Sequence, residues 1–173
     1  PPMSKIKRRY IDVNKLSASE CDLPVSWFKR IAITALDQCQ YTEPCRLSVM
    51  IVDDTTISDL NLRYRGLDEV TDVLSFSPSH SGKWQGTKKA AFSAGSGVYF
   101  VQPEDGINDL GDLVLSYPEA TRNAMAESLS VADIMAKLTV HGILHLMGFD
   151  HESKPEAFEM RAQETSILSC LTD

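Results

Sequence analysis

The sequence predicts a single α+β domain in which one small mixed β-sheet packs with several α-helices. Its 173 residues, 43% of them apolar, suit one compact domain over residues 1–173 rather than two. Strand-like patterns dominate the first part of the chain, whereas helical patterns dominate the C-terminal half. Strands followed by a helix-rich half are typical of the α+β class. No apolar run of the sequence is long enough to cross a membrane.

The N-terminal part is predicted to form a strand, a helix and a second strand. Residues 5–13 alternate between apolar and polar side chains, which predicts the first strand. Pro24 is suited to opening a helix, and the apolar spacing continues that helix to about Gln40. Residues 45–52 are rich in alternating or branched apolar side chains and predict the second strand.

A second helix and two short strands follow. Asp54 or Thr55 is the candidate N-cap of a helix that runs to about Tyr64. Residues 72–76 and 113–116 are predicted to be short strands. The side chains of this helix that we expect to face inward are Ile57, Leu60 and Tyr64.

Three helices are predicted in the C-terminal half. Pro118 begins one that ends at about Ala126, and Ser130 is the N-cap of the main helix. Four residues of the main helix lie on one line at spacings of three or four: Ile134, Leu138, His141 and His145. A last helix is predicted over residues 155–171, with apolar core side chains at Phe158, Met160, Ile167 and Leu168.

The segment 141–151 reads HGILHLMGFDH and contains three of the chain's four histidines. On a helix, His141 and His145 project from the same face one turn apart, which suits two imidazoles that bind one metal ion. Gly148 stands where a helix can end in a left-handed conformation, after which the chain can return His151 as a third ligand. Three neutral imidazoles with an open fourth position are typical of a catalytic zinc site.

The motif lacks the glutamate that metalloproteases with the pattern H-E-x-x-H use as general base. Gly142 stands in that place, so peptide hydrolysis by the usual route has no base. A zinc-dependent hydrolase of peptides or small molecules is therefore the least favoured hypothesis. A metal-bound hydroxide can still form unaided, because zinc lowers the pKa of its water to about 7.

The histidine motif resembles the signature of the YbeY family, the ribosomal-RNA maturation endoribonucleases. Two further blocks support the resemblance and stand in the family's order: residues 60–66 (LNLRYRG) with 71–76 (TDVLSF), and residues 110–116 (LGDLVLS). The last predicted helix is similar to the family's closing helix, so that the resemblance covers most of residues 45–170. The family's connection before the LGD block is normally shorter, which identifies residues 77–109 as a loop insertion.

This insertion is rich in Ser, Gly, Pro and Lys, and a structureless loop of such length is unusual in a compact domain. His80 and Trp84 lie in it. His80 is either a fourth metal ligand or a bystander, and its distance from the motif in the sequence favours the bystander. The apolar residues 98–101 are interpreted as an extra edge strand or a docking surface.

The resemblance implies that His141, His145 and His151 bind zinc or a similar divalent metal, and that Arg65 and His141 are catalytic. An arginine stays charged and presents a planar fork that suits phosphate oxygens. Arg65 beside a metal ion would bind the scissile phosphate and stabilise the charge that develops on it. Asp150 either orients a ligand histidine or caps the turn before His151, and we favour the turn.

The chain carries a formal net charge of -7, whereas phosphate binding usually calls for a basic surface. A bound divalent ion adds positive charge at the site, and basic clusters could line one face. An acidic chain also suits an enzyme that meets its RNA on a ribosome or through a partner protein. The four cysteines show no C-x-x-C spacing, so reduced thiols in a cytosol-like compartment are expected.

The leading hypothesis is a metal-dependent, single-strand endoribonuclease that acts in ribosomal-RNA maturation and ribosome quality control. Its expected partners are ribosomal RNA, the small ribosomal subunit and ribosome-assembly proteins, without membrane association. The attacking group is either a metal-bound hydroxide or a ribose 2′-hydroxyl, with Arg65 holding the phosphate. The alternative is a zinc-stabilised ribosome assembly factor with little catalysis of its own. The expected location is the cytoplasm of a bacterium or an organelle matrix (mitochondrion or plastid), and the sequence predicts no oligomeric state.

Overall fold

A four-stranded mixed sheet lies at the centre of the computed structural model, which describes residues 8–78 and 106–172. The strands are β1 (Arg9–Lys15), β2 (Cys45–Val52), β3 (Val73–Phe76) and β4 (Asn108–Ser116). Their order is β1-β2-β4-β3, with β1, β2 and β4 parallel and β3 antiparallel to β4. The helices are α1 (Val25–Gln38), α2 (Asp54–Arg65), α3 (Tyr117–Glu127), α4 (Val131–Leu146) and α5 (Lys154–Thr172). The predicted single α+β domain with a small mixed sheet is confirmed.

The two faces of the sheet are covered by different helices. Because side chains alternate along a strand, Leu113 and Val114 of β4 point to opposite faces. Leu113 lies in the large core with residues of α1 and α4, whereas Val114 packs with Ile57 of α2. Consequently α4, which carries the histidine motif, and α2, which carries Arg65, lie on opposite sides of the sheet.

The helix α4 is central to the fold, since it contacts α1, α3, α5, β3 and β4. Its side chains Met135, Val140, Ile143 and Leu144 are fully buried. A motif on such a helix is held on a rigid element. Among the described residues, no single helix is long and apolar enough to cross a bilayer, and α3 with α4 meets that test only as a pair bent by 117°.

The starts of the helices follow their capping residues. Ser130 is the N-cap of α4 as predicted, and its hydroxyl accepts a hydrogen bond from a backbone N–H of the first turn at 3.0 Å. The N-cap of α2 is Asp53, whose carboxylate accepts from the backbone N–H of Thr56 at 3.3 Å. The prediction of Asp54 or Thr55 was therefore wrong by one or two residues, because Asp53 keeps the extended backbone that an N-cap needs.

Two predicted strand boundaries were wrong, because pairing with β2 extends both strands beyond them. The first strand runs to Lys15 instead of residue 13, because Lys15 still pairs with Ile51 of β2. The strand β4 begins at Asn108 instead of residue 113, because the start of β2 provides partners for it. The last two residues of the predicted insertion, 108 and 109, therefore belong to β4. His80, Trp84 and residues 98–101 lie outside the described residues.

Two apolar side chains that were expected in the core are exposed. Phe158 is 75% exposed, because Met160 and Ile167 define the inward face of α5 and Phe158 projects from the opposite side. Tyr64 is 42% exposed, since its ring packs edge-on against Phe76 of the edge strand β3 and no strand of the described sheet lies beyond. The four cysteines are free thiols.

Candidate metal centre

Two histidines of α4 present one ring nitrogen each to the same point. His141 and His145 lie one turn apart near the C-terminal end of the helix, and their Nε2 atoms are 3.0 Å apart. His145 is buried, with 4% of its surface exposed, whereas His141 is half-buried. Helical spacing alone places the two rings together, as the sequence predicted.

The turn after α4 brings the third histidine to the same point. Gly148 has a φ of +98°, which disfavours a residue with a side chain, and the N–H of Phe149 donates to the carbonyl of Leu144 at 3.0 Å. The chain then reverses, so that the ligand nitrogens of the three histidines lie within 4.8 Å of one another. The carboxylate of Asp150 accepts a hydrogen bond from the backbone N–H of His151 at 2.7 Å and lies 4.0 Å from His151 Nδ1, so the turn role and the orienting role both stay predictions.

An acceptor oxygen holds the other nitrogen of each ring on α4. His145 Nδ1 lies 3.0 Å from the carbonyl oxygen of Phe149, and His141 Nδ1 is hydrogen-bonded to the carboxylate of Glu164 on α5. Since a carbonyl or carboxylate oxygen accepts, each Nδ1 carries the proton and each Nε2 carries a lone pair. Two lone pairs therefore face one another, an arrangement that a shared cation stabilises.

The electrostatic environment keeps the buried ring neutral. Burial, together with the neighbouring His141 and His151, lowers the pKa of His145 to about 3, although the hydrogen bond to the Phe149 carbonyl opposes the shift. A neutral imidazole is the form that binds a metal ion. His145 is therefore ready to act as a ligand without first losing a proton at neutral pH.

The donor set fits zinc. Zn–N bonds of about 2.0–2.1 Å in a tetrahedral site place two ligand nitrogens about 3.3 Å apart. The Nε2 atoms of His141 and His145 are separated by 3.0 Å, which is close to that spacing. His151 is exposed, so the side of the cluster that it forms faces solvent. Three histidine nitrogens with access from solvent match a catalytic site better than a closed structural one.

Gly142 faces the sheet and not the histidine cluster. A Cβ atom at this position would lie 2.2 Å from Leu113 Cδ1, and its carbonyl accepts a hydrogen bond from the Ser75 hydroxyl at 3.4 Å. The position that the glutamate occupies in H-E-x-x-H metalloproteases is therefore occupied here by a glycine that packs closely against the sheet. The structure therefore gives a packing reason for the glycine at this position.

Comparison with known proteins decides the family. The family model described as Endoribonuclease YbeY matches residues 12–172 of the chain. The chain belongs to the YbeY family. The resemblance inferred from the sequence blocks is therefore confirmed.

Curated YbeY proteins from several bacteria are similar to this chain over most of its length. The proteins named Endoribonuclease YbeY from Chloroflexus aurantiacus and Alkalilimnicola ehrlichii are both 36% identical to it, over 144 and 148 residues. These matches cover 83% and 86% of this chain and 84% and 78% of the relatives. The solution structure of TM1509 from Thermotoga maritima superposes with a TM-score of 0.58 at 19% identity, covering 93% of this chain and 88% of that one. At this low identity, the similarity to TM1509 shows only that the two chains share a fold.

Arg65, the second residue to which the YbeY resemblance gives a catalytic role, lies in the last turn of α2. Its Nη1 donates to Asn61 Oδ1 at 3.3 Å, and the amide of the buried Asn61 donates to the carbonyl of Glu69 at 2.9 Å. Burial lowers the pKa of the Arg65 guanidinium, although Glu69 opposes this effect. Asn61 therefore ties the arginine to the loop that leads into β3. The catalytic role of Arg65 stays a prediction.

Sequence reasoning gave no role to two carboxylates near the YbeY histidines. Burial raises the pKa of Asp72, which precedes β3, and the proximity of His141 lowers it. Glu164 contacts His141 directly. The signal for Glu164 was present in the sequence, because a carboxylate at helical spacing from Met160 and Ile167 falls on the inward face of α5. Its partner, however, is 23 residues away and was not predictable from local spacing.

Proposed function

We propose that this chain is a metal-dependent endoribonuclease that cleaves single-stranded RNA during ribosomal-RNA maturation. One observation carries the proposal: the Nε2 atoms of His141 and His145 lie 3.0 Å apart, at a point that His151 also reaches. The name that the relatives share, Endoribonuclease YbeY, indicates the substrate class and the reaction. The three histidines hold one divalent ion, and zinc is the ion that best suits three nitrogen donors.

The chemistry divides between the ion and the protein. A bound zinc ion supplies Lewis acidity, which polarises a phosphoryl oxygen and lowers the pKa of water to about 7. His145 and His141 provide ligands that are fixed on a rigid helix, and the exposed His151 leaves the site open to a polymer. The attacking group is water or the 2′-hydroxyl of the RNA. An RNA with 2′-deoxy sugars separates these routes, because only the second route requires the 2′-hydroxyl and forms a cyclic phosphate end.

We propose that Arg65 binds the scissile phosphate from the edge of the sheet, because Asn61 ties it to the loop that leads into β3, the edge strand that α4 contacts on the other face. Its guanidinium forms paired hydrogen bonds to phosphate oxygens and stabilises the charge that builds on them. Arg65 would place positive charge next to the phosphate in a chain whose formal net charge of -7 otherwise disfavours RNA binding. We further propose that the chain meets its RNA on the small ribosomal subunit, in a bacterial cytoplasm or an organelle matrix, where it also serves ribosome quality control.

The acidic net charge favours a second candidate function, a zinc-stabilised ribosome assembly factor. In this function the metal centre holds the turn after α4 and α5 in place, and the protein binds an assembling subunit without cleaving RNA. The two functions differ in one property. A catalyst turns over free single-stranded RNA, whereas an assembly factor needs its histidines for stability and leaves that RNA intact.

Cleavage and metal content measured in the same samples test the proposal. The assay follows end-labelled single-stranded RNA with wild-type protein, His145→Ala and Arg65→Ala, and Arg63→Ala is the matched control because Arg63 is exposed on the same helical turn. We expect wild type to contain one ion per chain and His145→Ala to lose both ion and cleavage. Arg65→Ala should keep the ion and cleave about 100–1,000-fold more slowly, as when one charge-stabilising donor is removed.

Each alternative has its own outcome in that assay. Intact RNA with metal-loaded wild type supports the assembly factor and contradicts the nuclease. Loss of the metal in Arg65→Ala means that the arginine is structural. Chelator-sensitive cleavage of a peptide by the same protein would revive the hydrolase hypothesis that Gly142 disfavours.

A further inference from the structure

We infer that Glu164 is a positioning residue that holds the His141 ring and thereby makes α5 part of the metal centre. This inference rests on the proposed metal site. It concerns a residue outside the histidine motif, on a helix that begins after the third ligand.

The surroundings of Glu164 set it apart from the other carboxylates of α5. Met160 and Ile167, one turn before and after it, are 2% and 0% exposed and anchor this face of the helix in the core. Glu164 lies between them, and 26% of its side chain is exposed. A carboxylate on the inward face of a helix is costly unless it has a partner. His141 Nδ1 is that partner.

The two rings of α4 depend on different parts of the chain. The acceptor for His145 is the carbonyl of Phe149, four residues further on in the turn that ends α4. That contact forms whenever α4 and its turn form. The acceptor for His141 comes from α5, 23 residues away, so this ring is held only when α5 is docked. The geometry therefore couples the docking of α5 to the orientation of one metal ligand.

The chemical consequence follows from the tautomer. A proton on Nδ1, donated to Glu164, leaves the lone pair on Nε2, where it faces His145. Without an acceptor at Nδ1, the His141 ring can rotate and can carry its proton on either nitrogen. Loss of such a partner behind a metal-bound histidine typically weakens metal affinity or activity by about 10–100-fold.

Titration of metal-free protein with Co²⁺, followed by its visible absorption, tests the role without an activity assay. We expect Glu164→Ala to weaken Co²⁺ affinity by about 10–100-fold. Glu164→Gln keeps an acceptor oxygen without the charge, so its loss should be smaller. Glu159→Ala is the matched control, because Glu159 is an exposed carboxylate on the same helix. It should bind Co²⁺ like the wild type.

Amide hydrogen exchange provides a second readout. Co²⁺ should slow exchange in α5 of the wild type and of Glu159→Ala, but not in Glu164→Ala, in which the link between the ion and α5 is cut. Circular dichroism checks that the alanine variant is folded. If it is not, Glu164→Leu, which fills similar space without an acceptor oxygen, decides: weaker affinity with the wild-type spectrum supports the inference, and unchanged affinity overturns it.

The outcomes separate this inference from the proposed function. If wild type binds Co²⁺, His145→Ala does not, and Glu164→Ala binds as tightly as wild type, only the positioning role is wrong. If wild type itself binds no Co²⁺, the proposed metal centre fails, and the positioning role fails with it.

Discussion

A substitution at Gly142 tests most directly how closely α4 packs against the sheet. Replacement by alanine adds a Cβ atom 2.2 Å from Leu113 Cδ1, and from 3.2 to 3.3 Å from two further atoms of the same side chain. Carbon atoms in contact normally lie about 3.5–4.0 Å apart. Leu113 is fully buried, so its side chain has no solvent to move into. The substitution therefore forces either Leu113 or the whole of α4 to shift.

Two opposing effects determine the magnitude. Overpacking a core costs about 1–3 kcal/mol, and a shortfall of more than 1 Å argues for the upper half of that range. Alanine is better than glycine inside a helix by about 1 kcal/mol, which offsets part of the cost. We expect Gly142→Ala to lower the free energy of unfolding by about 1–2 kcal/mol. In a chain of this size, that corresponds to a fall in Tm of roughly 2–8 °C.

A second substitution isolates the clash. Leu113→Ala removes all three atoms that the new Cβ would meet, at a cost of about 2–5 kcal/mol by itself. In that background, Gly142→Ala should become stabilising by about 1 kcal/mol, because only the helix propensity remains. Urea unfolding of the four proteins gives the coupling between the two sites. Equal destabilisation by Gly142→Ala in both backgrounds would falsify the packing explanation.

Three further predictions concern stability. In metal-free protein, the neutral form of His145 is favoured by folding, because its pKa is about 3 in the fold and about 6.5 in the unfolded chain. The stability that the fold gains from the neutral His145 ring is therefore fully present above pH 6.5 and is lost as the pH falls toward 3. At pH 5 the wild type should have lost on the order of 2 kcal/mol that His145→Gln does not lose, and urea unfolding at pH 7 and pH 5 measures the difference. Ser130→Ala removes the N-cap hydrogen bond of α4 and should cost about 1 kcal/mol, and an unchanged Tm would contradict the capping role. Phe158→Ser should change the free energy of unfolding by less than about 0.5 kcal/mol, since Phe158 is exposed, whereas Met160→Ala should cost about 2–5 kcal/mol; a large loss for Phe158 would place it in the core after all.

The helices of this fold were largely predictable because their signals are local. Ser130 is a good N-cap followed by apolar residues at helical spacing, and α4 begins where that signal places it. Strand boundaries were less predictable, since they depend on which partner lies alongside. Asn108 joins β4 because β2 starts opposite it, and nothing in the sequence around residue 108 indicates this pairing.

The orientation of single side chains on helices was the weakest part of the prediction. Phe158 and Met160 are both apolar and two residues apart, so they cannot share one helical face. Composition alone favoured both for the core. The structure selects Met160, because Ile167 continues its face and Leu168 and Leu171 pack against the same core. A stricter use of the helical period would have excluded Phe158.

The histidine cluster was predictable because its members lie close together in the sequence, whereas the acceptor that holds His141 lies far away and was not predictable. His141 and His145 share a face by spacing, and Gly148 marks the turn that returns His151, so all three lie within one short segment. The acceptor for His145 is equally local, as it is the carbonyl that ends the helix. The acceptor for His141 belongs to a distant helix, and long-range contacts leave no trace in spacing.

The sequence blocks that carry the YbeY resemblance meet in space at one residue of α4. Gly142 belongs to the histidine block, Leu113 to the LGD block and Ser75 to the TDVLSF block. The strands that bear Leu113 and Ser75 are neighbours, and these two residues are paired in the register. Because no side chain separates α4 from this pair, α4 lies close to the sheet, and this placement fixes the position of His141 and His145 on the helix and of the turn that leads to His151. The close contact at Gly142 and the metal centre are therefore two consequences of the same helix placement, and a change that lifts α4 from Leu113 should also disturb metal binding.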